Sequence, residues 1–218
     1  MTKGTLDYKS SYRRHLPHFQ PPGATLFVTS RLAGSIPAEI QQQLNAEAAK
    51  VEAILAGIAD PKERAQRAYL EHRRLFGRWD AELHNTTSGP FWLGEAEIAG
   101  VAVQEIHQHD KRLYDLDAFC VMSNHMHLVF TPLPKEDGTY HALPAIMQAI
   151  KGRSAYQANL LLNRRGAFWQ HENYDHVVRD EAEWRRIIIY TLNNPVKAGL
   201  VQHWHDWLWS YCKFSVEM

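Results

Sequence analysis

The segment 114–132 constrains the fold of this chain more than any other part of it. Two runs rich in aromatic, aliphatic and β-branched residues, 114–121 and 126–132, flank the turn-like Met122-Ser123-Asn124. Strand-length apolar runs on either side of a short polar break read as an antiparallel β-hairpin, and their dense apolarity places it at the centre of a sheet. Within it lies Ser123-Asn124-His125-Met126-His127-Leu128-Val129-Phe130. Residues two apart on a strand share a face, so His125 and His127 aim both imidazoles at one point while Met126 and Leu128 point the other way. Such a pair is either hydrogen-bonded strand histidines or two ligands of one ion. Polar groups among Phe119, Val121, Leu128, Val129 and Phe130 need an energetic reason to be there. That points to two ligands of one catalytic divalent metal, for which neutral imidazole is a common donor.

The rest of the pattern surrounds this hairpin with helices. After Pro21-Pro22-Gly23, residues 24–31 have strand length and composition. From Pro37 to Gly77, Ile40, Leu44, Ala48, Val51, Ile54 and Leu55 recur at helical spacing. Asp60-Pro61 interrupts them as a cap followed by proline at the first helical position, which gives a helical hairpin. Residues 77–90 read as a polar loop, 95–109 as a helix, 134–140 as a loop, 143–162 as a helix and 176–179 as a short strand. Asp180 caps a further helix, with Glu183 completing a capping box; it carries Trp184, Ile187, Ile188 and Tyr190 and ends near Asn194-Pro195. This order predicts an α+β fold with an antiparallel sheet. The whole chain, 1–218, reads as a single domain, with an N-terminal arm (1–23), a helical insertion (36–77) and a C-terminal tail (200–218).

Bulk properties narrow the function classes. With 218 residues the chain can bury a core without disulfides or structural metals. Cys120 lies in an apolar run and reads as a buried free thiol, which suggests a reducing compartment. No leader or apolar span is evident, so the expectation is a cytoplasmic protein with no membrane partner and no small-molecule substrate. Lys and Arg total 24, equal to Asp and Glu, so any nucleic-acid surface must come from local clusters such as Arg13-Arg14 or Lys151 with Arg153.

A metal needs more than two ligands. Tyr190 and Asn194 are four apart on the late helix, hence one turn apart on one face. An Asn carbonyl oxygen suits Mg2+ or Mn2+, and a phenol, with a pKa near ~10, attacks well only when activated. The competing reading makes Tyr190 a packing aromatic and Asn194 a polar residue before Pro195.

The run from Ala118 through His125 and His127 to Val129 resembles the histidine–hydrophobic–histidine strand of the HUH single-strand endonucleases, and more narrowly that of the REP-associated tyrosine transposases. The resemblance extends to Tyr12-Arg13-Arg14-His15-Leu16-Pro17-His18, Pro21 to Thr29, Phe168-Trp169-Gln170, Asp175, Val178-Arg179, Asn193 to Val201 and Trp207 to Tyr211. It implies a ferredoxin-like antiparallel sheet with helices packed on it, and a helical-hairpin insertion peculiar to this chain. It also implies metal ligation by His125, His127 and Asn194, with Tyr190 as the nucleophile; Tyr156, on the helix 143–162, is the rival. The implied activity is cleavage and strand transfer of single-stranded DNA at REP-type palindromic hairpins with a short flanking tetranucleotide, through a 5′-phosphotyrosine link and a free 3′-OH, by a monomer or homodimer using Mg2+ or Mn2+. Arg13, Arg14, Lys151, Arg153 and Trp169 are the candidate DNA contacts, with Phe168, Trp204 and Trp207 as further stacking aromatics. Two other classes fit the same residues: a non-catalytic hairpin-binding protein, repressor or architectural, and a metal-dependent hydrolase that uses water.

Overall fold

A computed structural model describes residues 8–9, 11–13 and 17–215, with 11–13 and 17–19 described by their backbone alone. The chain divides into two compact units, one made of residues 1–33 and 91–218 and the other of residues 34–90.

In the larger unit, a two-stranded ribbon pairs β1 (Ser11–Arg13) with β2 (Pro17–Phe19). The main sheet has five antiparallel strands: β3 (Leu26–Arg31), β4 (Tyr114–Val121), β5 (His125–Pro132), β6 (Tyr174–Val177) and β7 (Ser210–Cys212). Their spatial order is β6-β3-β5-β4-β7, so the hairpin strand β5 is central as its apolarity requires. With α3 (Ala96–His109) between β3 and β4, and α4 (Leu143–Leu161) between β5 and β6, the chain traces the β-α-β-β-α-β path of ferredoxin-like folds. Near the C-terminus, β7 pairs with β4 and forms that edge of the sheet.

The two sheet faces are separate environments. Leu26, Val28, Met126, Leu128 and Phe130 point into the main core with Ile98, Ala102 and Ile106 of α3 and Ile146 and Ile150 of α4. His125, His127 and Val129 point to the opposite face, which α5 (Glu181–Leu192) covers. Strand β4 changes sides part-way: its register against β5 slips between Leu116 and Ala118. This bulge lets Tyr114 and Leu116 share a face with Phe119 and Val121, and Asp117 accepts a 2.8 Å hydrogen bond from Trp184 Nε1 of α5.

The smaller unit is the expected hairpin of α1 (Ala38–Ala56) and α2 (Pro61–Asn85). Asp60 caps α2 through a 2.8 Å bond from Glu63 N, with Pro61 at the first helical position. Leu44, Ala48, Val51 and Leu55 of α1 are buried, as are Leu75 and Leu83 of α2. The polar loop expected from Gly77 is instead helix as far as Asn85. Leu75 and Leu83 keep one face apolar across Gly77, and that burial outweighs a glycine cost of about 1 kcal/mol. Glu47 ties the hairpin by pairing with Arg74 at 2.7 Å and with Arg78.

Candidate active site

The two strand histidines converge. His125 Nε2 and His127 Nε2 are 3.1 Å apart, and both side chains are buried. Each ring is oriented from behind. His125 Nδ1 is 2.6 Å from Asn124 Oδ1, an oxygen that can only accept, so the proton belongs on Nδ1 and the Nε2 lone pair faces His127. His127 Nδ1 is 2.8 Å from Thr29 Oγ1 across the β3–β5 ladder, where Thr29 and His127 are register partners. Phe27 stacks on His127 at 5.5 Å between ring centres. Imidazoles whose second nitrogen is held by an oxygen are the arrangement metal-binding histidines adopt. The spacing pattern identified the histidines but not Thr29 or Asn124; Asn124 could have been found as the polar neighbour in the turn, while Thr29 emerges only from the strand register.

Helix α5 brings Tyr190 to the same face. Its ring lies 5.4 Å from that of His127 and edge-on to Phe27 at 5.9 Å. The capping expectation at the start of α5 holds with one change. Asp180 Oδ1 accepts from Glu183 N at 2.7 Å, whereas Glu183 Oε2 accepts from Arg179 N at 3.0 Å, so the return arm reaches one residue further back. Glu183 also pairs with His176 at 3.2 Å, which fastens α5 to β6.

Asn194 follows where α5 gives way to α6 (Asn194–Lys197). Pro195 has no N–H and so breaks the helical ladder here. The Asn194 amide compensates, with Nδ2 donating to Tyr190 O at 2.8 Å and lying 3.4 Å from Thr191 O. These two acceptors fix which end of the amide is nitrogen. Its Oδ1 is then turned away, and although Asn194 is 0 % exposed, that oxygen has no hydrogen-bond partner among the described residues. A buried acceptor left unsatisfied costs about 1–3 kcal/mol. Two imidazole nitrogens and an amide oxygen are donor types that suit a divalent ion, and the orphaned Oδ1, four residues after Tyr190, is the observation that fits such a ligand.

The remaining candidates fall elsewhere. Tyr156 is 66 % exposed on α4, the helix that packs on the other face of the sheet from the histidine pair. Trp169, expected to stack on DNA bases, is buried, donates from Nε1 to Ser154 Oγ at 2.9 Å and packs edge-on against the buried Phe168. Both are core residues because the β3 extension Leu32 pairs with Trp169 and draws this segment inward. Lys151 Nζ donates to Gln170 O at 2.6 Å and Asn173 Oδ1 at 2.8 Å, pinning the segment before β6. Arg153 Nε lies 3.1 Å from the buried Glu105 carboxylate. Trp207 donates to Val121 O at 3.0 Å, while Trp204 stacks on His205. Arg13 ends β1 by its backbone, and Arg14 lies outside the described residues.

Comparison with known proteins bears on the fold. No protein-family model matches the sequence. A REP-associated tyrosine transposase of Haemophilus influenzae is 28% identical over 103 residues, 44% of this chain and 58% of the relative. One of Escherichia coli is 28% identical over 99 residues, 45% of this chain and 54% of the relative. The matched regions thus span little more than half the length of these curated relatives. Among solved structures, a REP-associated tyrosine transposase bound to a REP hairpin aligns with a TM-score of 0.51 and 19% identity, over 93% of this chain and 82% of that one, which shows a common fold. The sequence resemblance and the antiparallel α+β architecture therefore agree: this chain is similar to REP-associated tyrosine transposases in sequence and in fold.

Proposed function

We propose that this chain is a metal-dependent single-stranded DNA endonuclease and strand transferase, a transposase acting on REP-type palindromic hairpins, with Tyr190 as its nucleophile. The observation that carries the reading is that Tyr190, one helical turn before Asn194 with its orphaned oxygen, packs against His127, whose Nε2 meets that of His125. His125, His127 and Asn194 would hold the ion. Mg2+ or Mn2+ bound there would draw charge from a phosphodiester oxygen and make the phosphorus easier to attack.

The protein's own groups do the rest. Asn124 and Thr29 hold the imidazoles in place, and Phe27 with His127 confines the Tyr190 ring. The Tyr190 oxygen bonds to phosphorus and its proton passes to solvent. The P–O3′ bond breaks, the leaving oxygen takes up a proton, and the products are a free 3′-OH and a 5′-phosphotyrosine link. Attack of a 3′-OH on that link reverses the step and needs no external energy. Trp204, partly exposed, is a stacking platform for unpaired bases.

The test uses single-stranded REP oligonucleotides labelled at either end and incubated with Mn2+. The 3′ fragment should migrate as a covalent protein adduct on a denaturing gel. Absence of an adduct with every divalent metal tried would remove the tyrosine mechanism. An adduct that persists in Tyr190→Phe and disappears in Tyr156→Phe would transfer the role to Tyr156. Hairpin binding unchanged by Tyr190→Phe, with no cleavage by the unmodified protein, would favour a non-catalytic binder.

A further inference from the structure

The helix face that carries Tyr190 and Asn194 carries a third polar residue. Lys197 is seven residues beyond Tyr190 and three beyond Asn194, spacings that align side chains along one helical face. Its Nζ lies 4.8 Å from the centre of the Tyr190 ring. Lys197 is exposed, and no acidic group among the described residues pairs with it. The nearby charges on α5 are engaged differently: Arg185 pairs with Glu181 at 2.8 Å, and Glu183 is held by Arg179 and His176. A cation in the last turn of a helix is favoured by the backbone dipole. The dipole does not explain why this ammonium folds back over one particular ring instead of extending into water.

We propose that Lys197 is a substrate-phosphate ligand, whose ammonium seats a backbone phosphate of the bound single strand beside Tyr190. The proposal rests on the reading of Tyr190 given above and adds a residue to it. A lysine suits the task because its compact charge and flexible stem allow it to leave a weak cation–π contact for a phosphate oxygen. The ammonium remains protonated throughout and makes no covalent bond.

The experiment measures binding in a Tyr190→Phe background, where no strand can be cut. Affinity for a single-stranded REP oligonucleotide is compared for Lys197, Lys197→Gln and Lys197→Arg at 50 and 200 mM salt. Losing one phosphate contact on single-stranded DNA should make the slope of log affinity against log salt shallower by about 0.7. The Gln deficit should then be about two- to threefold larger at 50 than at 200 mM, while Arg keeps the original slope. A neutral methylphosphonate walked along the strand should abolish the Gln deficit at one position. An unchanged slope with no position-specific effect overturns the proposal. Adduct formation by the unmodified protein is read in parallel. A slope change without any adduct defeats the nuclease reading and leaves the phosphate contact standing; an adduct with an unchanged slope does the reverse.

Discussion

Replacing Asn194 by alanine separates a metal ligand from a helix cap. The side chain is fully buried, donates to Tyr190 O at 2.8 Å and leaves Oδ1 without a partner among the described residues. Truncation loses a hydrogen bond with a net value of about 1 kcal/mol. It leaves a small cavity, at about 24 cal/mol per Å3 roughly another 0.5–1 kcal/mol. Against this, it removes an unsatisfied oxygen whose burial costs about 1–3 kcal/mol. Without metal, the variant should therefore lie within about 1 kcal/mol of the unmodified protein. The difference should appear when Mn2+ is added. At a hundred times its dissociation constant, a ligand that binds only the folded state stabilises it by about 2.7 kcal/mol. For a chain of this size that corresponds to a rise of roughly 5–11 °C in Tm. Disturbing even the supporting shell of a metal ligand lowers affinity about 10- to 100-fold. The variant's gain at the same Mn2+ concentration should then be about 1.4 kcal/mol or less. Thermal denaturation with and without Mn2+ measures both quantities. A metal-free loss above about 3 kcal/mol, together with an undiminished Mn2+ gain, would refute the reasoning and make Asn194 a cap alone.

Tyr190→Phe should abolish the covalent adduct with little change in stability, whereas Tyr156→Phe, on the opposite face, should form it at an unchanged rate; denaturing gels read both. Asp117→Asn should stabilise the protein at neutral pH. Burial raises the Asp117 carboxyl above its ordinary 3.8, so its contribution to stability is fully present below the unfolded-state value and lost as pH rises through the folded one. The amide keeps an acceptor for Trp184 and carries no charge, so urea unfolding should show the variant's advantage growing as pH rises from the acid range to neutrality and vanishing at low pH. Gly77→Ala should stabilise the α1–α2 unit by about 0.5–1 kcal/mol, since a Cβ there meets nothing within 4 Å; a loss of stability would mean that the helix is interrupted at Gly77.

What could be read in the sequence follows from the range of the forces involved. The hairpin, the shared face of His125 and His127 and the Asp60 and Asp180 caps depend on periodicity or on neighbours within one turn, so composition and spacing reveal them. Whether Trp169 stacks on bases or packs in the core could not be read locally; its burial depends on pairing with Leu32, far away in the chain. Gly77 misled because the apolar stripe of α2 continues past it. The bulge at Asp117 was hidden for a related reason. A one-residue slip reverses which side chains face the core, and it is masked in the sequence because apolar residues run without a break from Ala118 to Val121.

The site itself divides along the same line. Its candidate residues were legible from spacing, since His125 and His127 are two apart on β5 and Tyr190 and Asn194 are four apart across the junction of α5 and α6. The groups that make those donors usable were not. Thr29 reaches His127 only across the β3–β5 register, and the Asn194 oxygen is orphaned because the amide nitrogen turns to the Tyr190 and Thr191 carbonyls, the second of which Pro195, lacking an N–H, leaves unclaimed. Proline after Asn194 thus fixes an orientation as well as ending a helix. The amide nitrogen faces the backbone and the oxygen faces away from it, so the same local break that supports reading Asn194 as a cap leaves its oxygen available for the ligand role proposed above. For that reason the stability of the metal-free protein and its response to Mn2+ have to be measured on the same variant.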